Sequence, residues 1–186
     1  MYLKDLQMEM ASNISELEKI MEFQQRSYDM ALKIENLFDD REAFDAMPDS
    51  LFKQDIFKMM TSATFDPNMG ILNSLISCGK INTISNKELL YTLSSLKDRI
   101  NDALEDQVII ERDRNDYIRS IFIRTSKVTN GKYDGIRFKD RYDDPEFRIM
   151  VKMLYLSNRG TGLDEERELL ETFKHIQALL EQEIND

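Results

Sequence analysis

From Leu3 the apolar positions step through Leu6, Met10, Ile14, Leu17, Met21, Tyr28, Ala31, Ile34 and Phe38 at intervals of three or four, with Gln24 as the one interruption. That spacing lays a continuous apolar stripe along one helix. The mean step lies near the 3.5-residue seam period of supercoiled helices, and a helix of about 38 residues is roughly 57 Å long. The pattern therefore predicts a long rod over residues 2–39. It starts without a Ser, Thr, Asp or Asn cap, as a helix does when it continues from an upstream segment.

A turn follows through Asp45 to Pro48, and Leu51, Phe52, Ile56, Phe57, Met59 and Met60 predict a short helix capped at Asp49 or Ser50 and ending near Ala63. Asp66-Pro67 reads as a cap followed by proline at the first helical position, with Gly79 as terminator, giving a third helix over 67–78. Ser85-Asn86-Lys87-Glu88 reads as a capping box. The stripe behind it, from Leu89 through Leu93, Leu96, Ile100, Leu104 and Val108 to Phe122, predicts a second rod over 86–127. Asn130-Gly131 and Asp134-Gly135, flanked by Val128, Tyr133, Ile136 and Phe138, predict a small hairpin or loop near 128–138. Asp144-Pro145 opens another helix, closed by Asn158 and Gly160, and Leu163 to Ile184 forms the last.

The expected fold is all-α. Two long helices (2–39, 86–127) and two broken columns (50–78, 145–184) assemble as an elongated up-down-up-down bundle, a single domain over 1–186. A chain of this length buries roughly 70% of its unfolded surface, so no staple is required.

Charge narrows the partners. With 25 Lys+Arg against 35 Asp+Glu, the formal net charge is −10. Such a surface repels phosphate backbones, so nucleic acid is not an expected partner. The single cysteine, Cys78, supports neither an internal disulfide nor a four-cysteine zinc site. No stretch reaches about 18 consecutive apolar residues, the length of a membrane span.

The candidate chemistry is thin. A di-iron bundle needs two Glu-x-x-His pairs, whereas His175 is the only histidine and Glu171 precedes it by four positions. Cys78, at a helix C-terminus, lacks the field that makes a reactive thiolate and reads as a small buried residue. Asn130 and Asp134 look like the start of a calcium loop, but Lys132 and Arg141 occupy ligand positions. Gly79-Lys80 lacks the rest of a phosphate loop. Lys127, Lys132, Arg137, Lys139 and Arg141 form one basic patch, either a solvated loop face or a surface for acidic lipid or an acidic partner. The methionines sit on the stripes and read as core. No catalytic residue, cofactor or metal site is expected, and the chain reads as a non-enzyme.

Residues 76–88 are the one stretch not explained by a stripe. Cys78, Gly79, Ser85 and Glu88 read as a structural joint, with Gly79 left-handed, Ile81 and Ile84 buried, and Asn82 and Asn86 bonding nearby backbone. The alternative makes Lys80, Asn82 and Asn86 contacts for a ligand or partner.

The run from Ile71 to Leu89 resembles the central signature of an uncharacterised bacterial family, whose pattern runs S-L-I-S-S-G-K, then Ile or Leu, then N-x-I-x-N-x-x-L. Cys78 stands where serine is commoner. Tyr2-Leu3-Lys4-Asp5-Leu6, leading into Ile14-Ser15-Glu16-Leu17, resembles the same family, in which it follows one transmembrane helix. The resemblance implies a membrane-anchored helical domain on the extracytoplasmic face of a bacterial membrane, its N-terminal anchor missing here. It carries no activity. The expected function is sensing, scaffolding or binding of a protein partner or small-molecule signal. The alternative is a free cytosolic, coiled-coil-like adaptor that homodimerises.

Overall fold

The computed structural model describes the backbone of residues 2–125, 128–129, 132–133 and 138–185, and the side chains among them apart from 118 and those within 121–137. The fold is all-α. Helix α1 covers Tyr2–Phe38, and α5, its counterpart in length, covers Lys87–Thr125. Between them lie α2 (Arg41–Ala46), α3 (Asp49–Met59) and α4 (Gly70–Ser77), and after them α6 (Pro145–Met150) and α7 (Arg159–Asn185). A two-residue ribbon, β1 (Val128–Thr129) antiparallel to β2 (Lys132–Tyr133), stands where a hairpin is predicted. Its turn residues Asn130 and Gly131, and Asp134 and Gly135 beyond, lie outside the described residues.

The chain divides into two compact units, where the pattern alone suggests one domain. The first comprises Met1–Glu22, Thr64–Glu105 and Leu163–Asp186, and the second Phe23–Ala63 and Asp106–Gly162. Each has its own core. In the first, Leu6, Met10 and Leu17 of α1 pack with Leu89, Leu93 and Leu96 of α5 and Phe173, Ile176 and Leu180 of α7. In the second, Ala31 and Ile34 of α1 pack with Phe52 and Ile56 of α3, Phe147 and Tyr155. Edge-to-face rings tighten that core: Phe44 lies 5.1 Å from Phe52, and Phe38 5.7 Å from Phe147.

Several predicted boundaries are displaced, the start of α4 for a long-range reason. Asp66-Pro67 does not open a helix; α4 begins at Gly70. Met69 supplies no side-chain cap there. The buried carboxylate of Glu9 on α1 instead accepts from the Ile71 and Leu72 N–H groups at 2.6 and 3.0 Å. The chain before α4 is held by Asn13, whose amide donates to the Asn68 carbonyl and accepts from the Asn68 N–H, both at 2.8 Å. A side chain thus substitutes for the backbone partner that an irregular segment lacks. Helix α3 ends at Met59, short of Ala63, and its N-cap is Pro48 rather than Asp49 or Ser50. The carbonyls of Met59, Met60 and Ala63 accept from Ser27, Arg114 and Gln24 respectively. Gln24, which interrupts the stripe, is buried for that purpose.

The turn expected at Asp45 to Pro48 is preceded by a helix, α2, capped by the Asp40 carboxylate on the Ala43 N–H at 2.9 Å. Phe138, expected in a strand, is buried in a 3₁₀ turn over Phe138–Arg141. Asp144 caps α6, with Pro145 at its first position, as the sequence predicts. Asn158 and Gly160 do not close the next helix: a π-helical stretch over Val151–Asn158 runs into α7. The glycines serve close approach rather than termination. A β-carbon at Gly160 would stand 3.4 Å from the Tyr28 ring, and one at Gly162 would stand 3.3 Å from that of Asp106.

Candidate functional site

The predicted joint is a compact device in the first unit. Helix α4 ends at Ser77, and Gly79 adopts φ 73° and ψ 3°, the left-handed conformation that only glycine takes without penalty. Its N–H donates to the Ile76 carbonyl at 3.1 Å. A 3₁₀ turn over Lys80–Thr83 follows, closed by the Thr83 hydroxyl on the Lys80 carbonyl at 2.7 Å. Ile81 and Ile84 point into the core of the first unit, as expected from the sequence.

The entry to α5 is built differently from a capping box. Asn86 is the cap, its Oδ1 accepting from the Glu88 and Leu89 N–H groups at 3.0 and 3.1 Å, and the helix starts at Lys87. Glu183 of α7 occupies the place expected of Glu88. Its two carboxylate oxygens accept from the Ser85 and Asn86 N–H groups at 2.6 and 3.0 Å. Glu88 turns away to His175 Nε2, 2.9 Å distant, with both side chains about half exposed or more. Cys78 is exposed rather than buried, its thiol 3.6 Å from the Leu75 carbonyl. Asn82 donates its backbone N–H to the Gly79 carbonyl at 3.3 Å and leaves its side chain exposed.

Beside this joint lies a cavity of about 340 Å³. Leu3, Leu75, Ile84 and Ile184 supply its apolar wall, and Lys4, Lys80, Thr83 and Glu183 its polar groups. The Lys80 ammonium sits 3.7 Å from the centroid of the Tyr2 ring, a cation–π contact that fixes its position. Lys4 and Lys80 outnumber Glu183 in the lining, so the net charge there is positive, and the Glu183 carboxylate is held in place by two backbone N–H groups. Of the three contacts proposed from sequence, Lys80 lines the cavity, Asn86 is a helix cap and Asn82 lies outside it. Tyr2, Lys4 and Glu183 carry no local signal, since tertiary packing alone brings them to the joint, whereas Thr83 belongs to its 3₁₀ turn.

Elsewhere several charged groups are paired within their own unit. An open groove of about 570 Å³ in the first unit has Arg99, Arg167, Glu168, Glu171 and His175 among its lining, with both signs of charge. Glu171 pairs with Lys174 at 3.4 Å rather than with His175. Among the described residues no group of three or more His, Cys, Asp or Glu side chains is placed to hold a metal ion. In the second unit Asp55, fully buried on α3, accepts from Lys33 at 2.5 Å. The buried Tyr155 phenol is pushed well above its ordinary range by desolvation, with Arg114 and Arg159 opposing.

The basic patch dissolves where it is described. Lys139 donates to the Met47 carbonyl and Arg141 to Asp144 at 2.9 Å, so both stabilise their own unit. Lys127 and Arg137, and the Lys132 side chain, lie outside the described residues. No described helix is long and apolar enough to cross a membrane. No family model, no curated protein and no solved structure matches this chain.

Proposed function

We propose that the chain is a non-enzymatic helical module that senses or binds through the joint cavity of its first unit. The observation that carries this reading is the cavity itself: an apolar wall facing Lys80 and Lys4, beside a joint whose backbone groups are already satisfied. A concave, mostly apolar recess with a few placed polar groups is the ordinary form of a small-molecule site. Reactive chemistry needs a nucleophile beside a base or a metal cluster, whereas the buried carboxylates Glu9 and Asp55 are occupied by backbone N–H groups and by Lys33.

The test is a thermal-shift screen of metabolites against the wild-type chain and Lys80→Gln. A compound that raises the wild-type melting temperature and fails on the variant supports the reading. Hits that act equally on both proteins overturn it. A role as the extracytoplasmic part of a membrane-anchored protein rests on the resemblance of segments 2–17 and 71–89, and it is tested by the codons upstream of Met1. An apolar span of about 20 residues there supports it. The alternative, a homodimerising adaptor, draws on the exposed Met8 and Tyr91, 65% and 71% accessible. Sedimentation at micromolar concentration decides it, since a strict monomer excludes that adaptor.

A further inference from the structure

Resting on the reading of the joint cavity as a binding site, we infer that its ligand is a small anionic amphiphile: a carboxylate head on a single apolar tail of roughly eight to twelve carbons, in keeping with a pocket at the small end of the ligand range. Four features of the cavity converge on that class.

The first is sign. Lys4 and Lys80 contribute two positive charges and Glu183 one negative, in a chain whose formal net charge is −10. Two ammonium groups against one carboxylate, which is itself tied to the Ser85 and Asn86 N–H groups, leave the lining net positive toward an entering anion. A cation is repelled there, and a neutral ligand gains nothing from the two ammonium charges.

The second is the division of the surface. The apolar wall of Leu3, Leu75, Ile84 and Ile184 has no hydrogen-bonding side chain, so it recognises a tail rather than a sugar or a base. Leu75 and Ile84 belong to the core of the first unit, which makes that wall rigid.

The third is the head-group chemistry. No arginine lines the cavity, so an anionic head is held by lysine point charges rather than by a bidentate fork, which suits a small monoanion such as a carboxylate. Lys80 is held 3.7 Å above the Tyr2 ring, which places its charge without spending its donors.

The fourth is size. A volume of about 340 Å³ corresponds to roughly eleven waters at about 30 Å³ each, enough to seat one short chain.

The experiment uses the full chain, labelled with ¹⁵N and in its methyl groups, titrated with decanoate below its micellar concentration, with decanol and acetate as parallel arms. Decanoate is expected to shift the signals of Leu3, Leu75, Lys80, Ile84 and Ile184 at a 1:1 ratio. Decanol and acetate are each expected to bind at least about tenfold more weakly, and Lys80→Gln and Lys4→Gln to weaken decanoate by a similar factor. Lys80 and Lys4 are exposed, so both variants should fold, and circular dichroism checks this. Equal binding of decanol and decanoate, equal binding of acetate, unchanged affinity in both lysine variants, or shifts confined to the second unit would each overturn the inference. If decanoate fails while another compound moves the same signals in a Lys80-dependent way, the cavity reading stands and the amphiphile falls. If no compound moves them, both fall.

Discussion

Truncating Glu9 to alanine removes the acceptor for two backbone N–H groups at the start of α4, which has no side-chain cap of its own. Hydrogen bonds to a charged partner contribute about 1.5–3 kcal/mol each, and a buried donor left unmade costs about 1–3 kcal/mol. The Leu72 N–H is buried and stays dry, whereas Ile71 is only partly buried and recovers part of its loss from water. The net cost of Glu9→Ala is therefore about 3 kcal/mol. Glu9→Gln keeps one acceptor oxygen without the charge and should cost about half of that. For a chain of this size 1 kcal/mol moves the midpoint by about 2–4 °C, so the unfolding midpoint of the chain should fall by about 6–12 °C in Glu9→Ala. Scanning calorimetry measures the midpoint, and amide exchange at Ile71 and Leu72 reports the site directly. Lys19→Ala, exposed on the same helix, is the control. A Glu9→Ala midpoint within about 1 °C of the control, with exchange at both amides unchanged, refutes this account of α4.

Gly79→Ala should cost about 1–2 kcal/mol from backbone strain alone, because no atom lies within 4 Å of the added carbon; a neutral effect in thermal melts would contradict the left-handed φ. Asn86→Ala should cost about 1 kcal/mol as a lost cap, while Ser85→Ala stays within about 0.5 kcal/mol; the reverse order would restore the capping box. Tyr155→Phe should stabilise the fold by about 1 kcal/mol at neutral pH, since the buried hydroxyl has no hydrogen-bond partner among the described residues. Its folded-state pKa lies above that of the unfolded chain, so its contribution is complete below about pH 10 and is lost as pH rises further. Urea melts above pH 10 should therefore show a shallower decline in the phenylalanine variant, and parallel slopes would count against it. Leu104→Pro, inside α5, should cost about 3 kcal/mol or more and abolish cooperative unfolding of the first unit by circular dichroism.

What the sequence made legible was what short-range physics writes into it. The long helices follow from apolar spacing, α6 from Asp144-Pro145, and the left-handed Gly79 from its place after a helix. The errors arise where a distant group overrides a local signal. Asp66-Pro67 is a sound opening, yet Asn13 holds Asn68 outside the helix and Glu9 caps it at Gly70. Gly160 looks like a terminator because glycine ends helices and also admits close neighbours, and periodicity cannot tell these apart. The interruption at Gln24 was visible. Its meaning was not, because one apolar stripe serves one core or two equally well, and here the division falls at 22–23. Lys80 was found from the joint's composition, whereas Lys4 and Glu183 are ordinary charged residues until α1 and α7 bring them there.

Capping from a distance also orders events in time. Helix α4 has eight residues, below the roughly 12–15 at which an isolated helix persists in water. Its cap on α1 is 62 and 63 positions away, and the carboxylate that completes the entry to α5 is 98 and 97 positions away. Closing such loops costs chain entropy before either bond forms. The joint is therefore expected to assemble after α1 and α7 dock, so that substitutions at Glu9 or Glu183 raise the unfolding rate and leave the folding rate nearly unchanged in stopped-flow kinetics.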